Sequence, residues 1–128
     1  MNYLILLGRL LFTLIFFTTI PSNFSKEKIK NVAAAGLPMA SFLVPASSAM
    51  AFMGAVSVLL GIYGRIGACL LIIFLLPVTF IQHKFWTIED PVKRRMQYIN
   101  FMKNIALVGG SLFIVAYGTG LLSLDAFF

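Results

Sequence analysis

The sequence predicts an all-α integral membrane protein, a bundle of four transmembrane helices in one domain over residues 1–128. Of its 128 residues, 60% are hydrophobic and only 11% are charged, and the mean hydropathy is +0.97. A soluble domain averages nearer half apolar and about a quarter charged. The apolar residues also form four runs, each close to the roughly 20 residues that a helix needs to cross about 30 Å of hydrocarbon. Composition and segment length therefore predict the same class.

The four runs place the spans approximately at residues 3–20, 42–63, 66–82 and 104–124. In hydrocarbon every backbone polar group must be paired within its own segment, so the runs are predicted to be helices. The first run has no basic residue ahead of it and no A-x-A pattern after it, so we expect a retained helix rather than a signal peptide. The third run is short but can extend to Trp86, which suits a membrane interface.

The connection "SNFSKEKIKNVAAAGLP" is predicted to hold a short amphipathic helix between the first two spans. Ser25 is a suitable N-cap and Gly36 a suitable end. Ile29, Val32 and Ala33 recur at helical spacing, so we expect this helix to lie along the membrane surface.

The second long connection and the small residues complete the architecture. Pro91 is expected to begin a helix that continues into the fourth span. Glycines recur in the spans, as at Gly54, Gly67, Gly109 and Gly110. Small residues let helix backbones approach closely where lipid provides no hydrophobic drive. We therefore expect a compact bundle.

Basic residues are divided unequally between the two membrane faces. Four spans put both termini on one face, which also holds Arg9 and the tight turn with Arg65. The opposite face holds eight basic residues: Lys26, Lys28, Lys30, Lys84, Lys93, Arg94, Arg95 and Lys103. Since cytoplasmic loops are enriched in lysine and arginine, the long connections are predicted to be cytoplasmic and both termini outside. This asymmetry also accounts for the net charge of +6 without a nucleic-acid partner.

Arg9 stands inside the first apolar run, in "LILLGRLLFTLIFF", about 9 Å from the start of the helix. An arginine at the bilayer centre costs about 2.5–3.5 kcal/mol on insertion scales, and less near an edge. Three explanations stay open. Arg9 snorkels to the outer interface, it forms an ion pair with Asp125 at the end of the fourth helix, or it contributes to a ligand site.

A stripe of amides marks one side of the fourth helix. Gln97, Asn100 and Asn104 fall at i, i+3 and i+7, and His83 ends the third helix on the same membrane face. Such groups line a polar cavity for a headgroup or a quinone carbonyl, or they simply tie helices together by hydrogen bonds. Both alternatives stay open.

Catalytic and metal-binding signals are weak. The sequence contains no nucleophile–base pair, phosphate loop, CxxC or carboxylate dyad, and its one cysteine, Cys69, lies in an apolar run. Glu89 and Asp90 belong to a basic, solvated loop. We expect no metal site and no catalytic activity of the chain on its own.

Several short pieces in order give the sequence a family resemblance. They are "GRLLFTLIFF" in the first span, "GLP" at 36–38, "GAVSVLLGIYGR" at 54–65, His83 with Phe85, "FMKN" at 101–104, "GG" at 109–110 and "GTGLLSLD" at 118–125. Together they resemble the DoxX family of small bacterial membrane proteins. The resemblance implies four helices in a compact bundle of the bacterial inner membrane. The residues that it marks as structural or site candidates are Arg9, Arg65, His83, Lys103, Asn104 and Asp125.

The resemblance also shapes the functional expectation. Some members are linked to quinone-coupled oxidation, and many carry a glutamate where this chain has Ala51. We expect a non-catalytic accessory or anchoring subunit of a membrane assembly. Its expected partner is another membrane protein or a second copy of the chain. The alternative is a module that binds or transports a small molecule, lipid or quinone at a site within the bundle. No cofactor is predicted beyond that quinone.

The ion-pair hypothesis predicts a coupling between Arg9 and Asp125. Arg9→Met and Asp125→Asn should each destabilise the protein, and the double variant should lose less than the sum, because it leaves no uncompensated charge. Thermal unfolding in detergent should give a coupling free energy of about 0.5–3 kcal/mol. A coupling near zero contradicts the pair.

Overall fold

The computed structural model describes residues 2–34, 36 and 38–119, which form helices and turns without a strand. The α-helices of this part of the chain are α1 (Asn2–Thr19), α2 (Lys26–Ala34), α3 (Ala40–Leu60), α4 (Gly64–Gln82) and α5 (Pro91–Tyr117). Short 3₁₀ turns follow α1 at Ile20–Phe24 and α4 at Phe85–Thr87. All but α2 are long and apolar enough to cross a membrane. The predicted all-α class with four spans and a short helix between the first two is confirmed.

The helix α5 begins where the sequence predicts and ends earlier. Asp90 caps it by accepting a hydrogen bond of 3.0 Å from the amide of Val92, and Pro91 occupies the first turn. At 27 residues the helix is about 40 Å long, which exceeds the hydrocarbon thickness. It stops at Tyr117 instead of running to residue 124, because Gly118 follows with a φ of 79°. A positive φ departs from helical geometry and is tolerated best by glycine.

The helices α3 and α4 cross in close backbone contact. A Cβ on Gly54 would lie 2.7 Å from the carbonyl oxygen of Gly67, and one on Gly67 would lie 2.6 Å from Cβ of Ser57. The glycines are therefore required by the approach of the two backbones. Around this crossing lies the core, whose buried side chains include Phe16, Ile20, Ala51, Ala55, Val58, Ala68, Leu71, Phe74 and Leu75.

The helices α1 and α5 flank this central pair, α1 against α3 and α5 against α4. Between them runs a groove. Gly8 of α1 and Gly110 of α5 both line it; a Cβ on Gly8 would meet nothing within 4 Å, whereas Gly110 lies against the ring of Phe12. The small residues of α5 thus shape an opening as well as a packing contact.

The short helix α2 forms as predicted, but it docks on the bundle. The amide of Lys28 donates to Oγ of Ser25 at 3.2 Å, which is the expected N-cap. Val32 is buried with Ala40 and Val44 at the start of α3, and its neighbour Ile29 packs against the same cluster. The apolar face of α2 is therefore covered by the bundle and not by lipid alone, which brings the polar start of α2 to the end of the bundle.

The glycine crossing predicts a selective loss of stability. Gly67→Ala should destabilise the protein by about 1–3 kcal/mol, because the new methyl group overlaps the opposite backbone. Thermal unfolding in detergent measures the loss. Gly109→Ala is the matched control, since a Cβ there meets nothing within 4 Å. An equal effect of the two substitutions would contradict the close crossing.

Candidate functional site

A polar cavity of about 250 Å³ lies at the long-connection end of the bundle. Residues from α1, α2, α4, α5 and the turn after α1 surround it. Its polar lining residues are Thr19, Ser22, Asn23, Lys28, Gln82, His83, Asn100, Lys103 and Asn104. Its floor is apolar and includes Phe16, Leu75, Val78 and Leu107. The cavity therefore combines a polar rim with an apolar base.

Two of the three residues of the predicted stripe on α5 reach the cavity. Asn100 and Asn104 line it, and Lys103, which the stripe did not include, lines it beside them. Asn104 is only 6% exposed, so its amide is withdrawn from the surface, while Lys103 is exposed at the rim. The helical spacing that the sequence shows thus places these side chains on one cavity wall.

His83 meets the stripe through Gln97. Its Nδ1 lies 2.7 Å from Oε1 of Gln97. Because an amide oxygen only accepts, Nδ1 carries the hydrogen and donates it, which leaves Nε2 as the acceptor of the neutral ring. Gln97 itself is not among the residues that line the cavity. Its role is to orient His83, which does line it.

Aromatic rings hold the connection that carries His83. The ring of Phe85 packs edge-to-face on Trp86, Tyr98 and Phe101, with centroid distances of 5.2, 5.1 and 5.4 Å. Such pairs contribute about 0.5–1.5 kcal/mol each beyond the area that they bury. They bind the segment after α4 to the side of α5, which keeps His83 beside Gln97.

Positive charge collects at the cavity without a counter-charge in its described lining. Lys28 and Lys103 both line it, and none of the described lining residues is acidic. Burial lowers the pKa of Lys28, and the charge of Lys103 lowers it further. Two cations that repel each other across a partly buried space favour an anion between them.

Sequence reasoning missed the wall formed by the first connection. It includes Lys28 of α2, which a helix on the lipid surface would not bring to the bundle, and Ser22 and Asn23 of the turn after α1. A signal existed: Lys28 is four residues before Val32, so the two share a face of α2. Once Val32 is buried against the bundle, Lys28 must face it too.

Arg9 and Arg65 lie away from this cavity. Arg9 lines a separate groove of about 330 Å³ between α1 and α5 with Gly110 and Tyr117. It is only 4% exposed, so its side chain is covered by protein. Its predicted partner, Asp125, falls outside the described residues. Arg65 is exposed in the first turn of α4, with its guanidinium beside Gly118.

Comparison with known proteins identifies relatives of the chain. A family model described as the SURF4 family matches residues 1–127. The inner membrane protein YphA of Escherichia coli (strain K12) is 32% identical over 98 residues, which cover 76% of this chain and 69% of that protein. No solved structure matches the chain.

The resemblance to the DoxX family is therefore wrong, because the family model that matches nearly the whole chain is a different one. The pieces that carried it are short runs of glycine, leucine and single polar residues. Close helix packing in lipid favours such runs generally, so their order does not distinguish one family of small helical bundles from another.

The charge cluster predicts a change in titration. Lys103→Gln should raise the pKa of Lys28, because it removes a repulsive positive charge. NMR titration of ¹³C-labelled lysine side chains measures the pKa, with Lys93→Gln, on the exposed first turn of α5, as the control. An unchanged Lys28 titration in Lys103→Gln would contradict the proximity of the two cations.

Proposed function

This chain belongs to the SURF4 family and is a multi-pass inner-membrane protein, and we propose that it binds an amphiphile with an anionic head in the polar cavity. The head is a phosphate or carboxylate group, and the rest of the molecule is apolar. The observation that carries this proposal is the convergence of Lys28, His83, Lys103 and Asn104 on one cavity whose described lining holds no acid.

The lining groups supply the donors that an anionic head needs. Each lysine offers three N–H donors and the amides of Asn100 and Asn104 offer two apiece. Hydrogen bonds to a charged group are worth about 1.5–3 kcal/mol each. The bound anion would also relieve the repulsion between Lys28 and Lys103. Affinity should accordingly fall as the pH rises through the lowered pKa of Lys28, since the neutral amine no longer attracts the head.

The apolar floor favours an amphiphile over a soluble anion. Phe16, Leu75 and Leu107 lie under the polar groups. If the ligand were a small hydrated ion, these apolar side chains would remain in contact with water. The cavity is lined by apolar residues of α1, α4 and α5 together, as at Ile15, Phe74 and Leu107, so it can hold the start of an apolar chain beside the head. Its position at the end of the spans is where lipid headgroups lie.

The cavity favours this binding module over the accessory subunit that the sequence first suggested. A neutral quinone offers carbonyl acceptors but no charge, and it would leave two lysines uncompensated. The anchoring role and the link to quinone stay predictions. With the long connections in the cytoplasm, as their basic residues predict, the head would enter from the cytoplasmic leaflet.

Removing the two lysines tests the proposal. The Lys28→Gln/Lys103→Gln double variant should bind dioleoyl phosphatidic acid at least tenfold more weakly than wild type, because two charge-assisted hydrogen bonds are lost. Native mass spectrometry of the detergent-purified protein measures the binding. The control is Lys93→Gln/Arg94→Gln, which removes the same charge from exposed positions at the start of α5.

Three further ligands complete the experiment. Dioleoyl phosphatidylcholine should bind more weakly than phosphatidic acid to the wild type, and inorganic phosphate should not compete with phosphatidic acid. A short-chain quinone should show no dependence on the lysines. Equal loss in the two double variants, or preference for the quinone, would contradict an anion site.

A further inference from the structure

A second cavity of about 180 Å³ adjoins the polar one. The two share four lining residues: Asn23, Phe74, Val78 and Gln82. The second cavity lies mainly between α3 and α4, and its other walls are largely apolar, as at Val44, Pro77 and Ile81. Together the two volumes reach the lower part of the range of roughly 300–1,000 Å³ typical of small-molecule sites.

Ser48 places an unusual polar group in this apolar space. It lines the cavity and is 1% exposed, yet its hydroxyl has no hydrogen-bond partner among the described residues. A buried hydroxyl without a partner is costly, since desolvation is not repaid. A ligand in the cavity could supply the hydrogen-bond partner that the Ser48 hydroxyl lacks.

Other buried hydroxyls of the spans are satisfied within their own helices. Thr13, Thr79 and Ser111 each donate to the carbonyl four residues earlier, at 2.8, 2.6 and 2.9 Å. The neighbour Ser47 donates to the carbonyl of Val44 at 3.2 Å and lines the same cavity. Ser48 departs from this pattern, so its hydroxyl is available to a ligand.

The cavity also opens toward lipid. Ile73 forms part of its wall and is 58% exposed, and Pro77 beside it is exposed as well. Both belong to the membrane-spanning part of α4. An apolar chain that enters the cavity from the polar side can therefore leave it between α3 and α4 and continue in the bilayer.

We propose that the amphiphile extends from the polar cavity into this second one, and that Ser48 donates a hydrogen bond to an ester carbonyl at the start of its acyl chain. The inference rests on the proposed function and narrows it to acidic glycerolipids with ester-linked chains. An acyl ester places an acceptor behind the anionic head, and a chain that passes from the polar cavity into the second one meets Ser48 on its wall. A free fatty acid has its polar atoms in the head, and an isoprenoid chain offers no acceptor there.

Paired lipids and a small substitution test the role of Ser48. The lipids are diester phosphatidic acid and its diether analogue, with the same head and chain length. Wild type should bind the ester about five- to tenfold more tightly, as one hydrogen bond provides. Ser48→Ala should abolish this preference by weakening the ester alone. Ser47→Ala is the matched control and should keep it, because the hydroxyl of Ser47 is already bonded.

The outcomes separate the two proposals. If wild type binds neither lipid, or if the affinity is unchanged when Lys28 and Lys103 are substituted, the proposed function fails and the role of Ser48 fails with it. If wild type binds both lipids equally, or Ser48→Ala weakens both to the same extent, the role of Ser48 alone is overturned. Thermal unfolding without lipid checks the fold of Ser48→Ala, which should be at least as stable as wild type because it removes an unpaired hydroxyl.

Discussion

The close crossing of α3 and α4 at Gly54 and Gly67 is the contact on which the rest of the bundle depends. Lipid tails are as apolar as the helices, so burial of apolar surface does not drive the helices together. Backbone approach supplies packing contacts instead, and it requires two residues without a Cβ. On this pair α1 packs against α3 and α5 against α4, and α2 docks against its end through Val32.

Polar groups are concentrated where the bundle can tolerate them. The basic cavity lies at the end of the spans, with Lys103 exposed at its rim, so its charges are not carried to the bilayer centre. The buried side chains of the core around the α3–α4 crossing are apolar. Arg9 in α1 and Ser48, which lies deeper in α3, depart from this division because both are buried within the spans. An unsatisfied buried hydroxyl requires an explanation, and the proposed ligand supplies one for Ser48.

Local features of the chain were predictable because they depend on nearby residues. Ser25 as the cap of α2 and Pro91 as the start of α5 follow from backbone hydrogen bonding at helix ends. The meeting of His83 with the amide stripe follows from helical spacing and a shared membrane face. The family resemblance was wrong, since short packing motifs recur in unrelated bundles. The prediction that α2 lies on the membrane surface missed its contact with α3. An amphipathic pattern shows that one face of a helix is covered, but it does not show whether lipid or protein covers it.

In the sequence by itself, hydropathy and segment length determined the class of protein and its four spans, and helical spacing determined the amide stripe. Each of these properties depends only on residues that are close together in the chain. The tertiary structure alone decided that Lys28 joins that stripe and that Ser48 is left without a partner. Both depend on how segments far apart in the chain pack together. A single sequence shows the chemistry of each segment, but it does not show which other segment will pack against it.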